Sequence, residues 1–287
     1  MRDINEANIT DAVIQRLADT PDPRLKQIVT GLVRHLHDYV RDVEPSFEEW
    51  QFAIDYLTRV GQTCTDKRQE FILLSDTLGV SMLVDAINHR LPEGATETTV
   101  LGPFFVAGLP ELPPGTNIAG DISGEPLFVG GKVMSAGTGH PLAGAVIDAW
   151  QSDDDGYYDV QRPELTEPAL RGRFRTDANG YFHFWSITPH SYPIPDDGPV
   201  GAMIRATKRH PYRPAHVHFM ISAEGHETLV THIFAEGDPY LDSDAVFGVK
   251  DSLIQTFAAR EPGMAPDGRA VTTAWRTLER DFGLKPT

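Results

Sequence analysis

The spacing of apolar residues separates the chain into two parts of different character. Up to about residue 91 the apolar positions follow a helical period, as Ile28, Leu32, Leu36 and Tyr39 illustrate. A second helical stripe follows Glu70 and consists of Leu73, Leu74, Leu78, Met82, Leu83 and Ile87. We interpret these stripes as core or helix-packing faces, which would also suit a dimer interface or an apolar groove for a lipid.

Local signals mark where helices begin and end in this region. Ser46 and Glu49 form a capping-box pattern immediately before Trp50, so a helix is predicted to begin there. Asp76 lies in an otherwise apolar helical stretch and precedes a helix break at Gly79. A carboxylate on an apolar face needs a partner or a change of protonation state, unless it lies at a helix surface or cap.

From about residue 100 the pattern changes to short alternating segments separated by frequent Pro and Gly. Strands are predicted at residues 128–133, 145–150, 173–176, 181–184, 214–222 and 228–234. The turn signal at residues 177–180 predicts a hairpin between the third and the fourth of these strands. Short strands with frequent turns favour an antiparallel β-sandwich or barrel, and a last helix is predicted at residues 272–282.

Composition limits the class of protein. The 287 residues are 40% hydrophobic and 23% charged, which is typical of a globular protein with one large domain or a core domain and a smaller partner. A net charge of −16 disfavours nucleic acid as a partner, because phosphates repel an acidic surface. The first residues lack a signal-peptide pattern, no segment reads as a membrane span, and Cys64 is the only cysteine, so a cytoplasmic location is expected.

Two histidines and two tyrosines indicate metal chemistry. His216 and His218 lie in a predicted strand, where alternate side chains point to the same face. Two imidazoles on one face can bind one metal ion, although a metal-free pair of hydrogen-bonded rings would give the same pattern. Tyr158 and Tyr192 lie in loops, and prolines on both sides of Tyr192 stiffen its loop. A phenolate is a hard oxygen ligand that suits Fe(III).

Three motifs occur in order: Gly-x-Tyr at residues 156–158, Tyr-Pro-Ile-Pro-x-Asp-Gly-Pro at 192–199 and Arg-Pro-Ala-His-x-His at 213–218. Together with segments 101–105 and 237–244, they resemble the intradiol ring-cleavage dioxygenases. The resemblance extends from the helical part to about residue 260. Tyr157 neighbours Tyr158, and Tyr158 is preferred because the family pattern has its tyrosine at the second place after the glycine.

The resemblance implies an α+β protein with a helical linker and dimerisation domain at residues 1–99 and an antiparallel β-sandwich catalytic domain at residues 100–287. It implies one Fe(III) per chain, held by Tyr158, Tyr192, His216 and His218. Tyr192 would also take a substrate proton, and Arg213 would be a catalytic cation near the charge that develops on the ring. The implied substrate-binding residues are Leu73, Asp76, Val100, Leu101, Gly102, Pro103, Phe104, Ile194, Pro195 and Val246.

The resemblance also indicates a substrate. Asp76 would accept a hydrogen bond from a third ring hydroxyl, and residues 190–192 and 231–234 resemble the hydroxyquinol-cleaving branch of the family. His232 stands where the catechol branch commonly has Gln. We expect cleavage of hydroxyquinol (1,2,4-trihydroxybenzene) with O2 to 3-hydroxy-cis,cis-muconate, the enol form of maleylacetate, in the degradation of aromatic compounds. Catechol or chlorocatechol 1,2-cleavage is the alternative.

Two hypotheses that assign the chain to other classes of protein remain open. One is a cupin-like metal site of His216, His218 and Glu224, and the other is a metal-free β-sandwich binding module with a helical interaction arm. Colour separates them, because phenolate-to-Fe(III) charge transfer should make an intradiol enzyme wine-red. The expected partners are the aromatic diol or triol and O2, a second chain bound through the N-terminal helices to form a homodimer, and a phospholipid in the helical region. Neither nucleic acid nor a membrane span is expected.

Overall fold

The computed structural model describes residues 2–65 and 68–287. Its helices are α1 Ile9–Arg16, α2 Pro23–Val43, α3 Phe47–Thr63, α4 Glu70–Thr77, α5 Val80–Asn88 and α6 Pro199–Ala206. Its strands are β1 Pro126–Ser135, β2 Val146–Trp150, β3 Arg171–Arg175, β4 Tyr181–Ile187, β5 Tyr192–Pro193, β6 Tyr212–Arg213, β7 His216–Ser222, β8 Leu229–Ala235, β9 Ile254–Gln255, β10 Ala258–Arg260, β11 Gly263–Met264, β12 Ala270–Val271, β13 Trp275–Glu279 and β14 Phe282–Leu284. None of the helices in these ranges has the length and hydropathy needed to cross a bilayer.

The chain separates into two compact units, one ending at Arg59 and the other beginning at Val60. In the first unit Asp22 caps α2, because its carboxylate accepts a hydrogen bond from the backbone N–H of Arg24 at 2.8 Å. Ser46 and Glu49 form the predicted capping box before α3. The Glu49 N–H donates to Ser46 Oγ at 3.2 Å, and the Ser46 N–H donates to Glu49 Oε2 at 2.8 Å. The predicted helix start is therefore confirmed.

The apolar stripe of α2 is exposed. Among its 21 residues none is buried within the described chain. Ile28, Leu32, Leu36 and Tyr39, which define the predicted stripe, are 53 to 60% exposed. Single exposed apolar residues are normal, but a continuous stripe along a helix marks a surface that another molecule can cover.

The second unit is built on two five-stranded sheets. One sheet has the order β3-β2-β7-β8-β9. In the other, β1 pairs with β4, β13 and β14, and β10 pairs with β13. One apolar core joins the two sheets, with Leu127 and Phe184 from one sheet and Ile147, Val217 and Phe219 from the other. The predicted α+β fold with a β-sandwich is confirmed.

The C-terminal segment differs from the sequence prediction. The helix predicted at residues 272–282 is wrong, because β13 and β14 occupy this segment and run parallel to β1. Trp275, Thr277 and Leu278 are buried there, so strand pairing and core packing override the local helical signal. These parallel pairs, together with the pairing of β8 with β9, make the sheets mixed rather than purely antiparallel.

The turn predicted at residues 177–180 exists, but the predicted hairpin is wrong. The Asp177 N–H donates to the Tyr181 carbonyl at 2.9 Å, and the Gly180 N–H donates to the Asp177 carbonyl at 3.0 Å. However, β3 pairs with β2, whereas β4 pairs with β1 in the opposite sheet. Gly180 has φ +73°, and a Cβ there would lie 2.7 Å from the Val133 carbonyl oxygen. The chain therefore crosses between the sheets in a tight turn that requires glycine.

The residues that precede the sheets belong to the second compact unit. The Thr96 N–H donates to the Gly283 carbonyl at 2.9 Å, and the Thr99 N–H donates to the Val230 carbonyl at 3.0 Å. Helices α4 and α5 lie in the same unit and are separated by Gly79, which has φ +74°. A division of the chain at residue 99 into two domains therefore stays a prediction.

Candidate metal centre and active site

Strand β7 carries its two histidines on one face. The intervening Val217 points into the core between the sheets, so His216 and His218 point to the opposite face, as the strand period predicts. Trp150 of β2 and His232 of β8 lie directly opposite His218. The His218 ring stacks on Trp150 with centroids 4.6 Å apart and lies edge-on to His232 at 4.1 Å. Packing on both sides thus fixes the orientation of His218.

The loop after β2 brings Tyr158 to these histidines. Its side chain is fully buried, and its phenol oxygen lies 2.7 Å from His218 Nε2. Gly156 has φ +86°, and a Cβ there would lie 2.6 Å from the Tyr192 Cβ, so the close approach of the two loops requires glycine. Tyr157 is 49% exposed. The structure therefore places Tyr158, rather than Tyr157, beside the histidines.

Tyr192 reaches the same point from a second loop. It is the first residue of β5, which pairs with β6 so that Tyr192 lies opposite Arg213. Its phenol oxygen lies 3.0 Å from that of Tyr158. Burial raises the pKa of Tyr192, and the positive charge of Arg213 opposes this effect. Because β6 leads almost directly into β7, this short pairing places Tyr192 next to His216, with ring centroids 5.6 Å apart.

The facing imidazole nitrogens indicate a site for a cation. His216 Nδ1 lies 2.7 Å from the Pro214 carbonyl oxygen, which can accept a hydrogen bond only if this nitrogen carries the proton. His216 Nε2 is then unprotonated, and it lies 3.0 Å from His218 Nε2. Two imidazole lone pairs at this distance repel each other unless a proton or a metal ion lies between them.

The protonation states of these residues fit a metal ion. The pKa of His216 is lowered to about 3, mainly by burial and to a smaller extent by the charge of Arg213. Burial and the neighbouring His216 lower the pKa of His218 well below its usual value, so both rings are neutral at neutral pH. The pKa of Tyr158 is raised well above its usual value, mainly by burial and also by the neighbouring Tyr192. Formation of its phenolate therefore requires a strong positive charge nearby. Two phenols and two neutral imidazoles form a donor set that suits ferric iron.

A buried ion pair fixes Arg213 behind the histidines. Arg213 Nε donates to Asp244 Oδ1 at 3.0 Å and its Nη2 donates to Oδ2 at 3.2 Å. Nη1 lies 3.4 Å from His216 Nε2, and Nη2 lies 3.3 Å from His232 Nδ1. Burial alone would raise the pKa of Asp244, but the charge and hydrogen bonds of Arg213 and the N–H of Gly248 bring it below its usual value. The guanidinium is therefore a fixed cation beside the candidate ligands.

A cavity of about 900 Å³ has on its wall Tyr157 and Pro193, which are the chain neighbours of Tyr158 and Tyr192. The predicted pocket residues on its wall are Leu73, Asp76, Pro103, Phe104, Ile194 and Pro195. The Phe104 ring stacks on Tyr158 with centroids 4.3 Å apart, so the cavity adjoins the candidate metal centre through this ring. The four candidate ligands are not themselves on the cavity wall formed by the described residues.

The other predicted pocket residues are not on the described part of this wall. Val100 and Val246 pack in an apolar cluster that shares two residues with it. Gly102 lies against His218, since a Cβ at this glycine would be 3.3 Å from the His218 Cε1. The Leu101 side chain is 40% exposed. Contact of these four residues with a substrate stays a prediction.

Asp76 is a buried carboxylate on the cavity wall. It lies in α4 and is 5% exposed. Burial raises its pKa, although a hydrogen bond from Ser81 and the charge of Arg213 act in the opposite direction. A hydrogen bond from a hydroxyl group that enters the cavity would therefore stabilise this buried carboxylate.

Glu224 does not join the two histidines. It is exposed in the turn beyond Ser222, whereas His216 is the first residue of β7. In the described part of the chain, the residue that completes a cluster with His216 and His218 is His232. The geometry therefore gives no support to the cupin-like alternative.

Two residues of this site were not predicted to lie beside the candidate ligands. His232 marks the hydroxyquinol branch in the sequence, but its position opposite His218 follows only when the predicted strands 214–222 and 228–234 are paired as antiparallel neighbours. Asp244 lies in a motif that supports the family resemblance, but its partner Arg213 is 31 positions away. No local pattern in a sequence reports an ion pair at that separation.

Comparison with known proteins defines the class of this chain. The family model described as Dioxygenase matches residues 100–282, and the model described as Catechol dioxygenase N terminus matches residues 22–96. The chain belongs to the intradiol ring-cleavage dioxygenases, as its motifs predict. Members of this family use iron, in agreement with the donor set described above.

Within this family the similarity extends over the whole chain. The sequence is 54% identical over 287 residues to the 6-chlorohydroxyquinol 1,2-dioxygenase of Cupriavidus pinatubonensis strain JMP 134, with 100% of both chains covered. The solved structure of hydroxyquinol 1,2-dioxygenase from Pseudomonas putida DLL-E4 has a TM-score of 0.92 and 49% identity, over 98% of this chain and 99% of that one. Catechol 1,2-dioxygenase from Pseudomonas arvilla C-1 has a TM-score of 0.83 and 32% identity, over 98% and 92%.

Proposed function

We propose that this chain is a hydroxyquinol 1,2-dioxygenase, which opens the ring of 1,2,4-trihydroxybenzene between its adjacent hydroxyl-bearing carbons. The observation that carries the proposal is the convergence of two phenols and two imidazoles, at 2.7 to 3.0 Å, beside a cavity with a buried carboxylate on its wall. The product is 3-hydroxy-cis,cis-muconate, the enol form of maleylacetate, within the degradation of aromatic compounds. Both atoms of O2 enter the product, so no external reductant is consumed.

The cofactor in this proposal is one Fe(III) per chain, held by Tyr158, Tyr192, His216 and His218. When bound, Fe(III) would stabilise the deprotonated diol and withdraw electron density from its ring, so that a ring carbon becomes reactive toward O2. The protein supplies the oriented donors. The hydrogen bond from His216 Nδ1 to the Pro214 carbonyl oxygen fixes the tautomer that leaves Nε2 free to bind.

Tyr192 is proposed as a catalytic base. A diol that binds through both of its oxygens must lose two protons. The Tyr192 phenolate would be a base strong enough to take one of them, and a hydroxide from solvent would take the other and leave as water. The Tyr192 oxygen lies 3.0 Å from the Tyr158 oxygen, in a loop that the flanking prolines stiffen. One substrate proton therefore moves to the Tyr192 phenolate oxygen.

Arg213 is proposed as the cation that stabilises negative charge on the ring. Its two hydrogen bonds to Asp244 hold the guanidinium in place before any substrate enters. A charge that is oriented in advance in a buried site stabilises a transition state without reorganisation. Arg213 also contacts His216 and His232, so its position is tied to the strand that carries the ligands.

Asp76 is proposed to select hydroxyquinol over catechol. Hydroxyquinol has a third hydroxyl that can donate to the carboxylate, and catechol lacks it, so catechol would leave a buried polar group unpaired. Replacement Asp76→Ala should lower kcat/KM for hydroxyquinol more than for catechol, by about 1–3 kcal/mol of transition-state free energy. The matched control is Asp196→Ala, because Asp196 lines the same cavity but is half exposed and paired with Arg205.

Steady-state O2 uptake with both substrates gives the two specificity constants for each variant. Equal losses on both substrates in Asp76→Ala would make Asp76 structural and assign selectivity to the shape of the cavity. A wild type that prefers catechol or a chlorocatechol would replace the proposed substrate by the alternative one. The ring-cleaving class of the enzyme would be unaffected by that result.

We also propose a homodimer that forms through the N-terminal helices. The support is the exposed apolar stripe of α2, since burial of Leu-sized side chains contributes about 1.5–3 kcal/mol each. A phospholipid in the helical region is a further proposal, which mass spectrometry of an organic extract of the purified protein tests directly. A cytoplasmic location stays a prediction that cell fractionation can check.

A further inference from the structure

A buried ion pair that includes the chain neighbour of Tyr158 has no role in the chemistry described so far. Arg171, the first residue of β3, is paired with Asp159, and their side chains are 3% and 8% exposed. Arg171 Nε donates to Asp159 Oδ2 at 2.6 Å, and Nη2 contacts Oδ1 of the same carboxylate. Asp159 directly follows Tyr158 in the chain. The ion pair therefore anchors the backbone that carries the Tyr158 phenol.

The same guanidinium has a second anchor in the segment that packs on the phenol ring. Arg171 Nη1 donates to the backbone carbonyl of Phe104 at 2.9 Å. The Phe104 ring stacks on Tyr158, with centroids 4.3 Å apart and an interplanar angle of 24°. Phe104 also lines the cavity. One side chain thus bonds both to the loop that carries the phenol and to the segment that packs against its ring.

We propose that Arg171 is a positioning residue that fixes the Tyr158 phenol oxygen relative to His218 by bonding Asp159 and the Phe104 carbonyl at the same time. The inference rests on the proposed function, in which Tyr158 is an iron ligand. A planar guanidinium has donors that point in several fixed directions, whereas a lysine ammonium on a flexible chain cannot reproduce this arrangement. Geometry, rather than charge alone, is therefore what the residue contributes.

Stability alone does not explain the pair, because a buried ion pair often contributes little compared with apolar residues of similar volume. The two anchors instead define its role, because one guanidinium holds the residue that follows Tyr158 and the segment that packs on the Tyr158 ring.

The test compares Arg171→Lys with Arg173→Lys in iron-loaded full-length protein. Arg173 is a matched control on the same strand, because its Nε and Nη2 bond Asp148 in the same two-point manner, at 2.8 and 3.0 Å, away from Tyr158. Arg171→Lys should shift the visible phenolate charge-transfer band and lower kcat by roughly ten- to hundredfold, with a much smaller change in KM. Arg173→Lys should leave both the band and kcat unchanged.

A second variant covers the case in which Arg171→Lys folds poorly. Asp159→Asn keeps the size of the side chain, weakens the same anchor and should shift the band in the same direction. The band is measured on the folded fraction, so its position does not depend on yield. A wild-type band and kcat in Arg171→Lys would overturn the positioning role, even if the variant unfolds at a lower temperature. A wild type without any visible band would instead overturn the proposed iron site.

Discussion

Tyr157 and Tyr158 are adjacent in the chain but differ completely in their surroundings. Tyr158 is buried with its oxygen 2.7 Å from His218 Nε2, and Tyr157 is 49% exposed. We expect Tyr158→Phe to bleach or shift the visible band of the iron-loaded protein, because one phenolate donor is lost. Tyr157→Phe is the control and should keep the wild-type spectrum. Full iron content and an unchanged spectrum in Tyr158→Phe would remove Tyr158 from the ligand set.

The protonation of Asp76 predicts a pH-dependent effect on stability. Its folded-state pKa is raised above 3.8, so the folded chain holds this proton more tightly than the unfolded chain does. Ionisation of this buried carboxylate destabilises the folded wild type. The destabilisation is absent below the unfolded-state pKa and complete above the folded-state pKa. Asp76→Asn has no such cost and keeps an oxygen acceptor for Ser81.

We accordingly expect the unfolding free energy of metal-free Asp76→Asn, relative to wild type, to increase as the pH is raised from 4 to 7. Urea unfolding of both proteins at these two values measures the difference. An Asn variant whose relative stability falls or stays constant over this range would show that Asp76 is not destabilised by burial. The same variant should lose part of its selectivity for hydroxyquinol, because a neutral amide oxygen accepts a weaker hydrogen bond than a carboxylate does.

For individual side chains, the sequence predicts the contacts that follow from local geometry. The shared face of His216 and His218 follows from the period of a strand, and the structure has it. The pair of Arg171 with Asp159 could not be predicted in this way. Its two side chains are 12 positions apart, one in β3 and the other at the start of the short 3₁₀ helix Asp159–Gln161, and only the folded chain brings them together.

Strand β1 changes its parallel partner along its length, and a glycine lies at the point of change. Strand β1 pairs with β13 along residues 127–130 and with β14 along residues 133–135, and Gly131 lies where the partner changes. A Cβ at Gly131 would lie only 1.8 Å from the Arg280 carbonyl oxygen. The close approach of the two backbones at this point therefore requires a residue without a side chain.

We expect Gly131→Ala to lower the free energy of unfolding by about 1–3 kcal/mol, because the backbone of the C-terminal segment must move. The control is Gly263→Ala in β11, where the nearest atom would lie 3.7 Å from the new Cβ. Chemical unfolding gives the two free energies. Equal stabilities of the two variants would mean that the C-terminal strands adapt to the side chain at no cost.

Elements with local signals were predictable, and elements that depend on distant partners were not. The capping box of Ser46 and Glu49 predicts the start of α3 because both of its bonds lie within four residues. Strand β13 lacks such a signal, since its backbone groups pair with β1, which lies more than a hundred residues earlier. The fold class was predictable despite this error, because the other strand segments alternate clearly and the N-terminal part is helical.

The exposed apolar stripe of α2 leads to a test of how the protein assembles. We expect the wild type to sediment as a dimer at micromolar concentration and Leu32→Lys to weaken the dimer at least tenfold, because a charge would enter the apolar interface. Gln27→Lys is the control, since residue 27 lies on another face of the helix and bonds Arg24. A monomeric wild type, or equal effects of both variants, would contradict the proposed interface.

The proposed function assigns one reaction to one iron site, and isotope labelling of the product distinguishes this reaction from other oxidations. Purified iron-loaded protein would be given hydroxyquinol under ¹⁸O2, and the product would be analysed by mass spectrometry against an enzyme-free control for autoxidation. We predict a ring-opened 3-hydroxymuconate with an ¹⁸O atom in each of its two new carboxyl groups, together with a wine-red protein. A quinone, a semialdehyde from cleavage outside the diol, or a product without ¹⁸O would contradict the proposed function.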